Sequence, residues 1–425
     1  MDFKDKFLDT LEHFDILPLL ITLSVGLIIS YAIYQQAFSP NIPNIHIILN
    51  DAESRDDGLK EQSCTNFPLK DENKPNMVQC YDPSTSQWLG EVKAMTKDEV
   101  YALAKKASFA QKSWKTTSFK QRRRVLQCMQ KYILDHQEDI CRVACRDSGK
   151  TKVDAMLGEV LTTCEKIRCV CAEGEKWLKK EYRNSGPVLP HKSSYVEYHP
   201  LGVQGIIAPW NYPFHNLFNH IISGIFCGNG VVSKVSEHTC WSSNYFGSII
   251  KKSLLACGHD PNLCAIVTGF GEAGEALVSC PDIDQVIFTG SPQVGKLVMK
   301  GASEILKPII LELGGKDPMI ICEDVKIKKV MPFVMRGVYQ NCGQNCCGIE
   351  RIYVYESIYD AFCENASKEV ANLRQGPPLG EQIVDCGAMV MPGQIEIIQS
   401  MVDEAVSKGA RLLNGGQRNP FYLNG

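Results

Sequence analysis

The chain has 425 residues, 44% of them apolar, enough to fill more than one hydrophobic core. Its formal net charge of -3 comes without a long basic run, so nothing in it forms an electrostatic footprint for nucleic acid. Its 19 cysteines, odd in number and spread along the chain, favour a reducing compartment over a disulfide scaffold; lacking paired Cys-x-x-Cys spacings or a His–Cys cluster, they predict no metal site.

The N-terminal segment stands apart. No Asp, Glu, Lys or Arg occurs from Ile16 to Asn50, and Ile16 to Tyr34 is a mostly apolar run long enough to cross a bilayer. The acidic flank of Asp2, Asp5, Asp9, Glu12 and Asp15 does not suit a cleaved signal peptide. Residues 1–50 are therefore expected to hold a transmembrane helix, a single membrane anchor. Lys4 and Lys6 precede the span and no basic residue follows until Arg55, which by the positive-inside rule places the N-terminus in the cytosol. The abundant thiols argue instead for a cytosol-facing main domain on an endomembrane, and we take that orientation.

Residues 51–76 are polar and charged without apolar periodicity and read as a linker. Folding is expected from about Met77. Thr96-Lys97-Asp98-Glu99 has the form of a capping box, with Val100, Leu103, Ala104 and Ala107 following at helical spacing, so a helix starts there. Further helical segments run to about Lys180. Pro, Gly and His interrupt the pattern over 185–200, where Ser194 to Tyr198 alternate like an exposed strand; this reads as a bridging hairpin. Short apolar strands then recur at Val203–Ala208, Gly230–Lys234, Asn262–Val267, Gln285–Phe288 and Pro308–Leu311 with helical stretches between. That rhythm predicts an α/β fold with a doubly wound parallel sheet, whose ligands collect at the carboxyl ends of the strands.

The residues just after those strands are polar and glycine-rich: Pro209-Trp210-Asn211-Tyr212-Pro213, Val235-Ser236-Glu237, Thr289-Gly290-Ser291 leading to Gly295, and Glu312-Leu313-Gly314-Gly315-Lys316. Gly-Ser-x-x-x-Gly opening a helix suits phosphate contact but departs from the usual dinucleotide fingerprint, and an ordinary strand-to-helix turn explains it as well. Later comes Gln340-Asn341-Cys342-Gly343-Gln344-Asn345-Cys346-Cys347-Gly348-Ile349-Glu350-Arg351, three cysteines within six positions.

Taken in order, PWNYP, KVSE, FTGSPQVG, LELGGK and GQNCCGIER resemble the aldehyde dehydrogenase superfamily from about residue 77 onward. With the N-terminal span, the chain looks most like the membrane-tethered branch of plants and fungi. The resemblance implies a Rossmann-like NAD-binding domain over 77–184 and 201–313, and an α/β catalytic domain over 314–425. It implies that Cys346 is the nucleophile whose thiolate adds to an aldehyde carbon, and that the Asn211 amide stabilises the resulting oxyanion. Glu312, at a strand end in an expected apolar neighbourhood, matches the base that activates water to hydrolyse the thioester. Cys342 and Cys347 match no catalytic position and are expected to pack.

For the cofactor, the resemblance places Lys234 and Glu237 at the adenosine ribose, where a carboxylate favours NAD over NADP. It places Gly290, Ser291 and Gly295 at the pyrophosphate, Trp210 toward the nicotinamide end and Pro209 on the adenine side, and counts Leu313 among the cofactor-binding residues. The expected substrate is a small-molecule aldehyde of hydrophobic character. Family members continue beyond the point matching Gly425 with further catalytic-domain chain and an oligomerisation strand, so the chain reads as C-terminally truncated, with a homo-oligomer expected of the longer form. A catalytically inactive, membrane-tethered relative is the competing expectation.

Overall fold

The computed structural model describes residues 42–55, 68–380 and 382–417. They fall into two compact units divided between Pro43 and Asn44. The expected span at Ile16–Tyr34 lies outside the described residues, as does most of the first unit, and the described helices and strands all belong to the second. Among the described residues no helix is long and apolar enough to cross a membrane.

The folded unit starts earlier than the sequence pattern suggests. Ile45 is buried, and Asp51–Ser54 form a short helix, α1, closed by a reciprocal capping box between Asn50 and Glu53. Arg142 Nη1 donates to the Glu53 carbonyl at 3.3 Å and Arg146 Nη2 to the Arg55 carbonyl at 2.8 Å. Two arginines on a later helix thus dock the start of the expected linker, a contact that linker composition cannot reveal. Residues 56–67 of that segment lie outside the described residues. Further on, the Gln79 N–H donates to the Leu69 carbonyl at 2.9 Å, so residues just before Met77 also join the fold.

Strands β1 (Met77–Tyr81) and β2 (Trp88–Lys93) pair antiparallel. Helix α2 (Lys97–Trp114) begins at the expected box, with Thr96 Oγ1 accepting from the Glu99 N–H and the Glu99 carboxylate accepting from the Thr96 N–H. Such a cap is worth about 1 kcal/mol. Its Val100, Ala104 and Ala107 bury against Val203, Val232 and Ala265 of the sheet; small side chains let the helix lie close. Helices α3 (Phe119–Asp135) and α4 (Gln137–Ser148) follow, then α5 (Lys152–Ala155), a π-helical turn over Met156–Leu161, and α6 (Thr162–Trp177).

The bridging hairpin pairs β3 (Glu181–Arg183) with β4 (Ser194–Val196). It therefore begins about four residues before the expected boundary, drawn back by the edge-to-face contact of Tyr182 with Tyr195, centroids 6.0 Å apart.

The central sheet holds β5 (Val203–Ile207), β6 (Gly230–Lys234), β7 (Cys264–Val267), β8 (Gln285–Gly290) and β9 (Ile309–Leu313), all parallel, in the order β7-β6-β5-β8-β9. Helices α7 (Pro213–Phe226), α8 (Ser243–Ala256), α9 (Gly271–Ser279) and α10 (Pro292–Ser303) connect them. In sequence order the strands lie 3-2-1-4-5, so the chain reverses direction across the sheet between β5 and β8. That is where a doubly wound sheet opens a crevice for ligand. After β9 come β10 (Asp317–Ile321), α11 (Ile327–Tyr339), β11 (Ile349–Val354), α12 (Tyr359–Ala371) and α13 (Gly393–Ser407). Strands β10 and β11 pair parallel, with Asp317 opposite Ile349, around a core of Ile321, Met331, Val334 and Phe362.

Candidate active site

The three-cysteine stretch is the connection from α11 to β11. Asn341, Cys342 and Gly343 take φ of +53°, +58° and +75°, three consecutive left-handed residues of which only the glycine adopts that conformation freely. Side-chain hydrogen bonds hold the turn. Gln344, buried, donates from Nε2 to the carbonyls of Asn341 at 3.1 Å and Ala388 at 3.2 Å, while its Oε1 accepts from the Val390 N–H at 2.9 Å. Every polar site on that amide nitrogen is used, and two distant segments are fixed to each other.

Two residues later, Cys346 emerges exposed. Partial burial of its thiol, together with the neighbouring Cys347, pushes its pKa above the ordinary thiol value. Cys347 is also exposed, contrary to the expected packing: its Sγ donates to Asn345 Oδ1 at 3.4 Å, because the turn into β11 points both side chains outward. Cys342 turns inward, its thiol hydrogen-bonded to Cys386 and its pKa raised by that bond and by burial. All cysteines among the described residues are free thiols, and those residues hold no cluster able to ligate a metal ion.

Asn211 follows β5 and precedes Pro213, the residue that opens α7. Its amide reaches the cysteine loop directly, Nδ2 donating to the Gln344 carbonyl at 3.2 Å, and its Oδ1 accepts from Asn216 Nδ2 at 3.0 Å. One of the two amide N–H groups is thereby engaged, not left pointing into open space. Asn341 Nδ2 donates its two N–H groups to the Asn211 carbonyl at 3.0 Å and the Gln344 carbonyl at 3.1 Å. The β5 turn and the cysteine loop are therefore one hydrogen-bonded unit.

Glu312 sits near the end of β9, opposite Thr289 of β8. It is exposed, not in the expected apolar neighbourhood, because β9 is the open edge of the sheet and its Ile310 and Leu313 are exposed with it. Its connection to the thiol runs through the next strand pair: Arg351 Nε donates to the Lys316 carbonyl at 2.7 Å, Lys316 pairs with Glu350, and Asp317 lies opposite Ile349. The Glu312–Lys316 turn and the Cys346–Arg351 segment thus enter paired strands side by side. Of the two glycines in that turn, Gly314 has open space where a Cβ would project, so close approach does not explain it.

A histidine partner for Cys346 is not found: among the described residues no hydrogen bond joins it to a histidine. His215 Nδ1 instead pairs with Thr163 Oγ1 at 3.0 Å, and burial lowers both His215 and His220 to about 4, leaving them neutral.

A model of the aldehyde dehydrogenase family matches residues 69–425. The chain belongs to that family. An aldehyde dehydrogenase-like protein of Schizosaccharomyces pombe is 40% identical over 81% of this chain, and one of Saccharomyces cerevisiae is 40% identical over 83%. The chain spans 66% and 57% of the lengths of those two relatives. Among solved structures, an aldehyde dehydrogenase of Bacillus cereus in complex with NAD+ superposes with a TM-score of 0.75 at 28% identity, covering 82% of this chain and 70% of that one.

In this member of the family, the residues expected at the dinucleotide line the strand ends around the sheet's reversal point. Pro209 and Trp210 follow β5, both half-buried. Lys234, buried at the end of β6, donates from Nζ to Glu237 Oε2 at 2.8 Å. Burial pushes the Glu237 carboxyl up, but the charge and hydrogen bond of Lys234 outweigh it and hold the pKa below the ordinary value, so the group is an acceptor at neutral pH. Gly290 ends β8, and Ser291 caps α10, its Oγ accepting from the Val294 N–H at 3.4 Å. A Cβ on Gly295 would come within 2.9 Å of Leu313 Cδ2, so glycine there lets α10 press onto β9. An ionised carboxylate, a capped helix start and a close helix–strand approach fit a dinucleotide's needs.

The sequence pattern missed the buried layer beneath the site: Lys150, Glu159, Gln344, Asn341 and the Cys386–Val390 segment. Lys150 follows Gly149, whose φ of +68° ends α4, and that turn was the available local signal.

Proposed function

We propose that this chain carries the active site of an NAD-dependent aldehyde dehydrogenase that oxidises a hydrophobic aldehyde to the carboxylic acid. In this reading 77–184 and 201–313 bind the dinucleotide, 314–425 present the thiol, and the segment at Ile16–Tyr34 tethers the protein to a membrane with the domain facing the cytosol. The observation that carries it is the bond from the Asn211 amide to the Gln344 carbonyl, two residues before the exposed Cys346.

The Cys346 thiolate adds to the aldehyde carbon, forming a C–S bond and placing negative charge on the oxygen. The Asn211 amide and the Cys346 main-chain N–H donate to that oxygen; a single such donor lowers a barrier by about 3 kcal/mol. When bound, the nicotinamide supplies the acceptor for the hydride that leaves the same carbon. Glu312 then takes a proton from water, which attacks the thioester carbonyl and releases the acid and the thiol. Lys234 and Glu237 hold the ribose hydroxyls, and the Glu237 charge opposes a 2′-phosphate.

The test follows NADH absorbance with medium and long aliphatic aldehydes. Activity lost in Cys346→Ala and kept in Cys347→Ala is the expected result. Equal activity in both variants would overturn the assignment, and no turnover with any aldehyde would favour the inactive, tethered relative. In Glu312→Gln a first-turnover burst should persist while steady turnover slows.

A further inference from the structure

Lys150 and Glu159 form an ion pair with neither side chain exposed to solvent, at 2.5 Å. The pair does more than neutralise itself. Lys150 Nζ also donates to the Asn211 carbonyl at 2.7 Å and lies 4.1 Å from the Tyr212 ring centroid. Glu159 Oε2 accepts from the His215 N–H at 2.8 Å. One pair therefore holds both ends of the turn from Asn211 to the first residues of α7. Glu159 reaches it from the π-helical stretch Met156–Leu161, an irregularity that redirects side chains and is frequent at functional sites.

A buried ion pair is a weak stabiliser, since apolar residues of similar volume often serve equally well. Here each partner also bonds a main-chain atom of one turn. The Asn211 carbonyl that accepts from Lys150 also accepts from Asn341 at 3.0 Å, and Asn341 in turn holds the Gln344 carbonyl at 3.1 Å. The ammonium is thus two hydrogen bonds from the loop that carries Cys346.

The geometry points to Lys150 as a positioning residue for the oxyanion site, acting through Asn211 with Glu159 as its charge partner. This rests on reading Cys346 as the nucleophile and Asn211 as the oxyanion donor. The pair sets where the Asn211 amide stands relative to the thiol and touches neither substrate nor cofactor.

The test uses the full chain and 4-nitrophenyl acetate, which needs no cofactor: the thiolate forms a C–S bond to the acyl carbon, the C–O bond breaks, and nitrophenolate leaves. Lys150→Met combined with Glu159→Gln removes the lysine charge without stranding the carboxylate. Burst acylation should fall at least tenfold in this double variant, and less than twofold when it is added to Asn211→Ala. Wild-type acylation in the double variant, or an equal loss with and without Asn211→Ala, would overturn the proposal, even if the melting temperature fell. Lys150→Arg keeps the charge but moves the donor; should the double variant not fold, acylation in Lys150→Arg slowed at least threefold, with NAD affinity unchanged, supports the role, and an unchanged rate overturns it. Wild-type acylation in Cys346→Ala or Asn211→Ala would overturn the underlying reading instead.

Discussion

Asp147, near the end of α4, gives the fold an unusual pH dependence. It is 1% exposed, and its Oδ2 accepts from the Ser242 N–H at 2.9 Å. Burial raises its pKa to about 7, the nearby Asp82 adds to the rise, and the Ser242 hydrogen bonds and the Lys150 charge offset only part of it. The unfolded carboxyl titrates near 3.9, so the native state binds this proton more tightly than the unfolded state. Its contribution to stability is fully present below about pH 4 and is lost as pH rises through about 7, an effect of about 4 kcal/mol. Asp147→Asn keeps an acceptor for the Ser242 N–H and cannot ionise. The variant should match the wild type near pH 4 and exceed its stability by up to about 4 kcal/mol at pH 8. Urea unfolding of both proteins at intervals from pH 4 to 8, with m-values checked for equality, reads the difference and cancels titrating groups that do not interact with Asp147. A difference that stays flat across that range, or favours the wild type as pH rises, would refute the reasoning.

Three further outcomes can be measured. Gln344→Ala removes three buried hydrogen bonds, a local cost of about 3 kcal/mol, so hydrogen exchange at the Val390 amide should accelerate by about a hundredfold; a change under threefold would show that Gln344 does not hold that segment. Because burial and Cys347 raise the Cys346 pKa, its alkylation by iodoacetamide, resolved from Cys347 by peptide mapping, should still climb about tenfold per pH unit where a free thiol has levelled off; an early plateau contradicts this. Glu237→Gln removes the charge opposing a 2′-phosphate, so the preference for NAD over NADP in binding titrations should shrink at least tenfold, and an unchanged ratio would remove Glu237 from that role.

Sequence reasoning succeeded where the determinant was local or periodic. Thr96 and Glu99 close their own helix, and the short run Gly230–Lys234 falls at the observed strand boundaries, its Val231 and Val232 buried in a parallel strand. It failed where the determinant lay far along the chain. Residues 51–55 look like linker until Arg142 reaches the Glu53 carbonyl and Arg146 the Arg55 carbonyl. Glu312 reads as sheltered by its apolar neighbours, yet those neighbours occupy an edge strand and are themselves exposed. The helix-ending Gly149 marks a turn beside Lys150, but that turn does not say that this lysine, out of 45 basic residues, turns inward to a carboxylate nine positions on.

The contacts that shape the site share a chemical trait that bears on how the family can vary. Lys150 and Asn341 reach the Asn211 carbonyl, Gln344 reaches Asn341, Ala388 and Val390 through main-chain atoms, and Arg351 reaches the Lys316 carbonyl. Every acceptor or donor on the receiving side is backbone, present whatever side chain the position bears. The frame around Cys346 can therefore persist while the side chains at those receiving positions change, provided the few polar residues that reach inward are kept. On the proposed function, substrate preference is then free to be set by side chains outside this frame, and Lys150, Asn341 and Gln344 would bear on where an aldehyde oxygen lies and not on which aldehyde is bound.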